Sequence, residues 1–126
     1  MEMITEVLDV KYTFKEILEI VEHKTDNNLS WRIYTLEAFS KNGLNILELE
    51  DEIENSENGI SYTFEALKAL SIQLQQVIWI TLVGHKNAIP TFEQIKNKDS
   101  RFMEIIIECI DSSFWELHIV LPSIKL

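Results

Sequence analysis

The groups in this sequence that could do chemistry are three histidines, one cysteine and a surplus of carboxylates, 21 acidic side chains against 11 basic ones. A zinc site read from sequence needs ligand pairs on one helix face, such as HxxxH or HExxH. His23, His85 and His118 lie in separate segments and none stands in such a pair. Cys109 sits in the run Ile105-Ile106-Ile107-Glu108-Cys109-Ile110. A nucleophilic thiol needs a neighbouring base or cation in a polar setting, so this spacing predicts a packed core thiol instead. No GxGxxG, GxxxxGK or GxSxG pattern occurs, and three glycines are too few for a phosphate cradle. Glu104 and Glu108 share one strand face and read as solvated, and Asp111 before Ser112-Ser113 reads as a turn former. The expectation is a protein that is not an enzyme and uses no cofactor and no metal.

The acid is concentrated. Glu48, Glu50, Asp51, Glu52, Glu54 and Glu57 put six carboxylates into ten residues with no base among them. Like charges this close repel, so the segment is either a well-solvated strand end and loop or a surface that faces a cation from outside. Residues 61–100 hold four Lys against Glu65, Glu93 and Asp99. Trp31, Trp79 and Trp115 all fall in strand-like runs, where sheet packing is their ordinary role. Trp115, beside the turn, is the one expected to be partly exposed, and Trp is enriched at binding hot spots. Trp115 and the six carboxylates are therefore the candidate partner-binding residues.

The elements that must position these groups fit a single domain, residues 1–126, with 46% hydrophobic residues to build a core. A net charge of −10 argues against nucleic acid and against an anionic membrane, and favours a basic protein partner. No stretch approaches the roughly 20 apolar residues of a membrane span. The acidic start, Met1-Glu2-Met3-Ile4-Thr5-Glu6, lacks a signal peptide's features, and a lone cysteine suits a reducing compartment. A cytoplasmic location is expected.

Thr13-Phe14-Lys15-Glu16 is a capping box, and Phe14, Ile17, Leu18 and Val21 recur at helical spacing behind it until Asp26-Asn27-Asn28. Trp31 to Leu36 reads as a strand, followed by a turn at Lys41-Asn42-Gly43. Leu47, Leu49 and Ile53 alternate with Glu48, Glu50 and Glu52 as a strand would, although Ile46, Leu49 and Ile53 also fit a helix. Ser61 or Thr63 caps a second helix running to about Gln75, and Val77 to Val83 is a central strand. A short helical turn follows at Pro90 to Ile95. Phe102 to Ile110 and Phe114 to Leu121 form a hairpin around Asp111-Ser112-Ser113, with Met103, Ile105, Ile107, Cys109, Trp115, Leu117, Ile119 and Leu121 facing the core. Ile4 to Val10 reads as a strand or as a lead-in to the first helix. The order predicts an α+β fold with an antiparallel-rich sheet of about five strands and two main helices on one face.

Two stretches carry a family resemblance. Asn58-Gly59-Ile60-Ser61-Tyr62-Thr63-Phe64-Glu65-Ala66-Leu67 runs into Gln75-Gln76-Val77-Ile78-Trp79-Ile80-Thr81-Leu82-Val83-Gly84. The second is Ile107-Glu108-Cys109-Ile110-Asp111-Ser112-Ser113-Phe114-Trp115-Glu116-Leu117. Together they resemble small bacterial immunity proteins of polymorphic-toxin and contact-dependent growth-inhibition systems, over about a third of the chain. The pattern departs from a good helix cap at Phe64, where an acid would be preferred three residues after Ser61. The resemblance implies binding and neutralisation of a cognate toxin domain, often a basic nuclease, inside the producing cell, and carries over no toxin-contacting residue. The alternative is a structural or regulatory subunit, as a homodimer or in a larger assembly. A third class, a small enzyme or carrier with a pocket between helices and sheet, would be favoured if one of the histidines met carboxylates in the fold.

Overall fold

The computed structural model describes residues 3–9, 11–25, 28–41 and 45–120. The turns expected at Asp26-Asn27 and Asn42-Gly43, the end of the first run at Val10, and the core position of Leu121 lie outside these residues. The elements are β1 (Met3–Asp9), α1 (Phe14–Lys24), β2 (Ser30–Ser40), α2 (Ile46–Glu54), β3 (Ile60–Tyr62), α3 (Phe64–Gln73), β4 (Leu74–His85), α4 (Phe92–Lys96), β5 (Ile105–Cys109) and β6 (Phe114–Val120). The six strands form one antiparallel sheet in the order β1-β6-β5-β4-β2-β3. The fold is α+β as expected. Among the described residues the strand count is six rather than about five, and there are four helices rather than two main ones.

Helix α1 begins at the expected box: Thr13 Oγ1 accepts from the Glu16 amide, and the Thr13 amide donates to the Glu16 carboxylate. Its Phe14, Ile17, Leu18 and Val21 lie in the main core with Leu67 and Leu70 of α3, against Ile33, Leu36, Ile80, Leu82, Ile105, Ile107 and Leu117 of the sheet. Thr63, not Ser61, caps α3; Ser61 belongs to the three-residue strand β3. That strand escaped the sequence because it is too short to show alternation. It is delivered by Gly59 at φ +73, where an added Cβ would stand 2.6 Å from the Ile33 carbonyl oxygen.

The acidic segment is helical, which corrects its reading as a strand. Asn45 accepts from the Glu48 amide to start α2, and Ile53 is buried in the main core with Ile46 and Leu49 packed against it. The alternative spacing i, i+3, i+7 won because only one flank of the segment is apolar, and α2 lies along β2, on the side where β3 pairs only as far as Ile33.

Among the described residues the opposite face of the sheet is covered by a helix at one end only. Tyr34, Val83 and Ile106 pack there against Ile95 of α4 and Met103, so Met103 is buried in this smaller cluster rather than in the main core. Phe14, Leu18, Ile105 and Ile107 are buried as expected; Leu67, Leu70 and Ile80 are buried with them, while Ile78 is only half-buried because the β2–β4 register shifts beside it.

The hairpin turn lies where Asp111-Ser112-Ser113 predicts. The Ser113 amide donates to the Ile110 carbonyl, and Asp111 and Ser112 both have positive φ, +52 and +55, as a type I′ turn requires. The Ser112 amide is tied to the Ile78 carbonyl on β4 at 2.9 Å. Two predictions follow from this packing and this turn. Leu67→Ala, at a fully buried position, should lower the unfolding free energy by about 2–5 kcal/mol in urea denaturation. Ser112→Gly keeps the amide bond, relieves a left-handed residue, and should raise stability by about 1 kcal/mol in the same assay.

Candidate partner-binding surface and a histidine–carboxylate cluster

Helix α2 divides the acidic residues. Glu50, Asp51 and Glu54 line a groove of about 480 Å³ with Glu37, Leu47, Ile53, Phe92, Tyr34, Thr35 and Leu36. Glu48 faces the helix start, bonded to Asn45, Glu52 lies toward Tyr62, and Glu57 is exposed in the loop beyond. Among the described residues none of these carboxylates, nor Glu37, is held in an ion pair. Partial burial and the charges of Glu37 and Asp51 push the Glu50 carboxyl above its ordinary range. The groove therefore has carboxylates around an apolar floor and no internal cation. Thr35 Oγ1, which lies among the lining residues, is buried with no hydrogen-bond partner.

The groove opens onto the part of the sheet that α4 leaves bare. Glu37 is paired across strands with Trp79, and strand alternation puts both on this face together with Phe39, Thr81, Glu108, Glu116 and Val7. Trp79 is 41% exposed, and Phe39 and Val7 more so. The tryptophan expected at the surface is instead buried: Trp115 is 2% exposed, stacks on Phe14, and donates its indole N–H to the Tyr12 carbonyl. It stands beside the turn, but its position in β6 points it under α1. Trp79 was the better candidate, because the register shift next to it in β4 brings an apolar run to the surface.

The same bare face carries a cluster that sequence spacing did not reveal. Glu108 and Glu116 are directly opposite one another on β5 and β6, and His118 shares their face. His118 Nε2 lies 3.1 Å from a Glu116 oxygen and 3.4 Å from a Glu108 oxygen, and its Nδ1 is 2.9 Å from Thr5 Oγ1 on β1. The imidazole is 3% exposed and the carboxylates 20% and 27%. The hydrogen bond to His118 holds the Glu108 carboxyl below its usual range, against the opposing effect of burial. His118 is thus buried and Glu108 is partnered rather than freely solvated, which is the meeting of a histidine with carboxylates named above for an enzyme or carrier, here on a sheet face and not in a pocket between helices and sheet. A signal was available: a hairpin turning at Asp111-Ser112 pairs 108 with 116, and 116 and 118 share a face by strand period. Among the described residues, Glu108, Glu116 and His118 are the group whose ligand atoms could hold a metal ion.

The remaining histidines stand apart. His23 is exposed in the last turn of α1, where a cationic side chain suits the helix dipole. His85 is buried with Nδ1 near the Asn87 carbonyl and Nε2 without a partner, and burial lowers its pKa. Tyr34 lies at the junction of groove and α4, its hydroxyl donating to the Pro90 carbonyl, and burial pushes its pKa up to about 12. No described helix is long and apolar enough to cross a membrane. Comparison with protein-family models, with curated proteins and with solved structures finds no match.

Cys109 is fully buried on the helix-covered face with Sγ 3.9 Å from the Val77 carbonyl, and burial pushes its thiol up. A raised pKa and closed access both suppress the thiolate at neutral pH. An aromatic disulfide reagent should label native protein slowly and reach one equivalent only after denaturation; rapid native labelling would contradict this placement.

Proposed function

We propose that this protein is a non-catalytic binding protein that masks a basic partner, and that the partner is a toxin domain which it neutralises inside the producing cell. The observation that carries the reading is the groove beside α2, where Glu37, Glu50, Asp51 and Glu54 surround an apolar floor with no internal cation. An acidic groove of this kind attracts Lys and Arg, and the adjoining Trp79 and Phe39 offer the apolar contact that a central hot spot needs. The net charge of −10 points the same way, since a surface that grips nucleic acid must be basic. The resemblance to immunity proteins supports the toxin as the kind of partner. Self-association through the exposed Val7, Phe39 and Trp79 is the second reading, and the carboxylates interspersed among them oppose it by like-charge repulsion.

The test pairs the chain with a basic toxin domain encoded beside it. Co-expression should restore growth, and the two should co-purify. Changing Glu37, Glu50 and Glu54 together to Gln should lower the association rate about tenfold at low ionic strength and flatten its salt dependence, with the fold intact by circular dichroism. Failure to rescue growth together with no complex would remove the toxin reading. A concentration-dependent dimer that disappears in Trp79→Ala would support self-association in its place.

A further inference from the structure

We propose that Glu108, Glu116 and His118 bind a divalent transition-metal ion, with zinc the natural probe, on the bare face of the sheet. Two carboxylate oxygens and one imidazole nitrogen converge within 4.8 Å of one another. Tetrahedral coordination at roughly 2.0–2.2 Å places ligand atoms about 3.3–3.6 Å apart. The observed separations of 3.1 and 3.4 Å from Nε2 to the two carboxylates are close to that spacing.

The electrostatics ask for a cation between them. Glu108 and Glu116 are direct cross-strand neighbours, a position in which like charges destabilise a sheet, and both are largely withdrawn from water. Their other cross-strand neighbours, Thr81 and Val7, bring no charge. Lys98 acts on Glu108 only at a distance, through its field. A hydrogen on Nε2, or a metal ion in its place, is what lets three lone-pair-bearing atoms meet.

The ring is already oriented for this. Thr5 Oγ1 holds Nδ1 from β1, which fixes the imidazole plane and leaves Nε2 aimed at the carboxylates, the arrangement that metal-bound histidines use. One nitrogen with two carboxylate oxygens favours zinc and its neighbours over thiolate-seeking metals. Among the described residues no helix covers this part of the face, and the Glu108 and Glu116 side chains keep 20% and 27% exposure, through which water can reach a fourth coordination position.

The experiment titrates the full chain, stripped with a chelator, with zinc chloride by calorimetry and with cobalt(II) by visible absorption. One equivalent should bind, and the cobalt spectrum should show four-coordinate oxygen and nitrogen ligation without an intense thiolate band, because Cys109 faces the other side of the sheet. Glu108→Gln and Glu116→Gln should each weaken binding at least about tenfold, and Thr5→Val by about 10- to 100-fold, while His23→Gln leaves it unchanged. The glutamate variants keep side-chain shape, and circular dichroism confirms that they fold; His118→Gln is the harsher variant because the ring is buried. No binding of either metal to the folded chain would overturn the proposal. Equal affinity in wild type, Glu108→Gln and Glu116→Gln would overturn it too, by placing the ion elsewhere.

Discussion

The structure depends on one mismatch: β4 and β5 are apolar on both faces, and α1 and α3 can cover only one. Ile105, Ile106 and Ile107 are all fully buried, which alternation permits only if both sides of the sheet are covered there. The chain meets this by folding α4 and Met103 over Val83 and Ile106. Further along the strands the residues on that face become Thr81, Trp79 and Glu108, and among the described residues no helix covers Trp79, which is exposed. The position of the bare surface is thus set by where the apolar sequence of two central strands gives out.

His118 stands at that boundary. It is paired across strands with Ile106, inside the covered end, and its ring reaches toward Glu108 and Glu116, outside it. A neutral surface residue here would expose the covered cluster, and a purely apolar one would leave two facing carboxylates uncompensated. Imidazole satisfies both, because it has an apolar body and a polar edge. The acid of α2 is arranged differently: it surrounds an open groove and is left for solvent or a partner to balance.

Much of the fold was legible because the signals were redundant. In α1 the capping box and the 3.6-residue period agree, and in the β5–β6 hairpin the turn residues and the alternation agree. The Leu47–Ile53 stretch satisfied two periods equally, and only the presence of β2 beside it chose the helix. Trp115 and Trp79 show the same limit. Local sequence placed one by a turn and the other in an apolar run, but exposure was decided by α1 on one side and by the absence of a helix on the other. The cluster was hidden for a related reason. Its members belong to β5, β6 and β1, with Thr5 and His118 113 residues apart, and only strand register brings them together.

That separation also fixes an order in time. As the chain leaves the ribosome, β1 emerges early and has no strand to pair with until β6 follows it, because its pairing runs from Met3 with Val120 to Asp9 with Phe114. The helices and the strands from β2 to β5 can meet before then. During synthesis β1 is therefore an unpaired segment in search of an edge, and completing the sheet at β6 is one of the most sequence-distant closures in the molecule, a kind of contact that forms slowly. A nascent-chain chaperone would have its longest opportunity at Met3–Asp9, and the contact between the Thr5 hydroxyl and His118 is among the last to form.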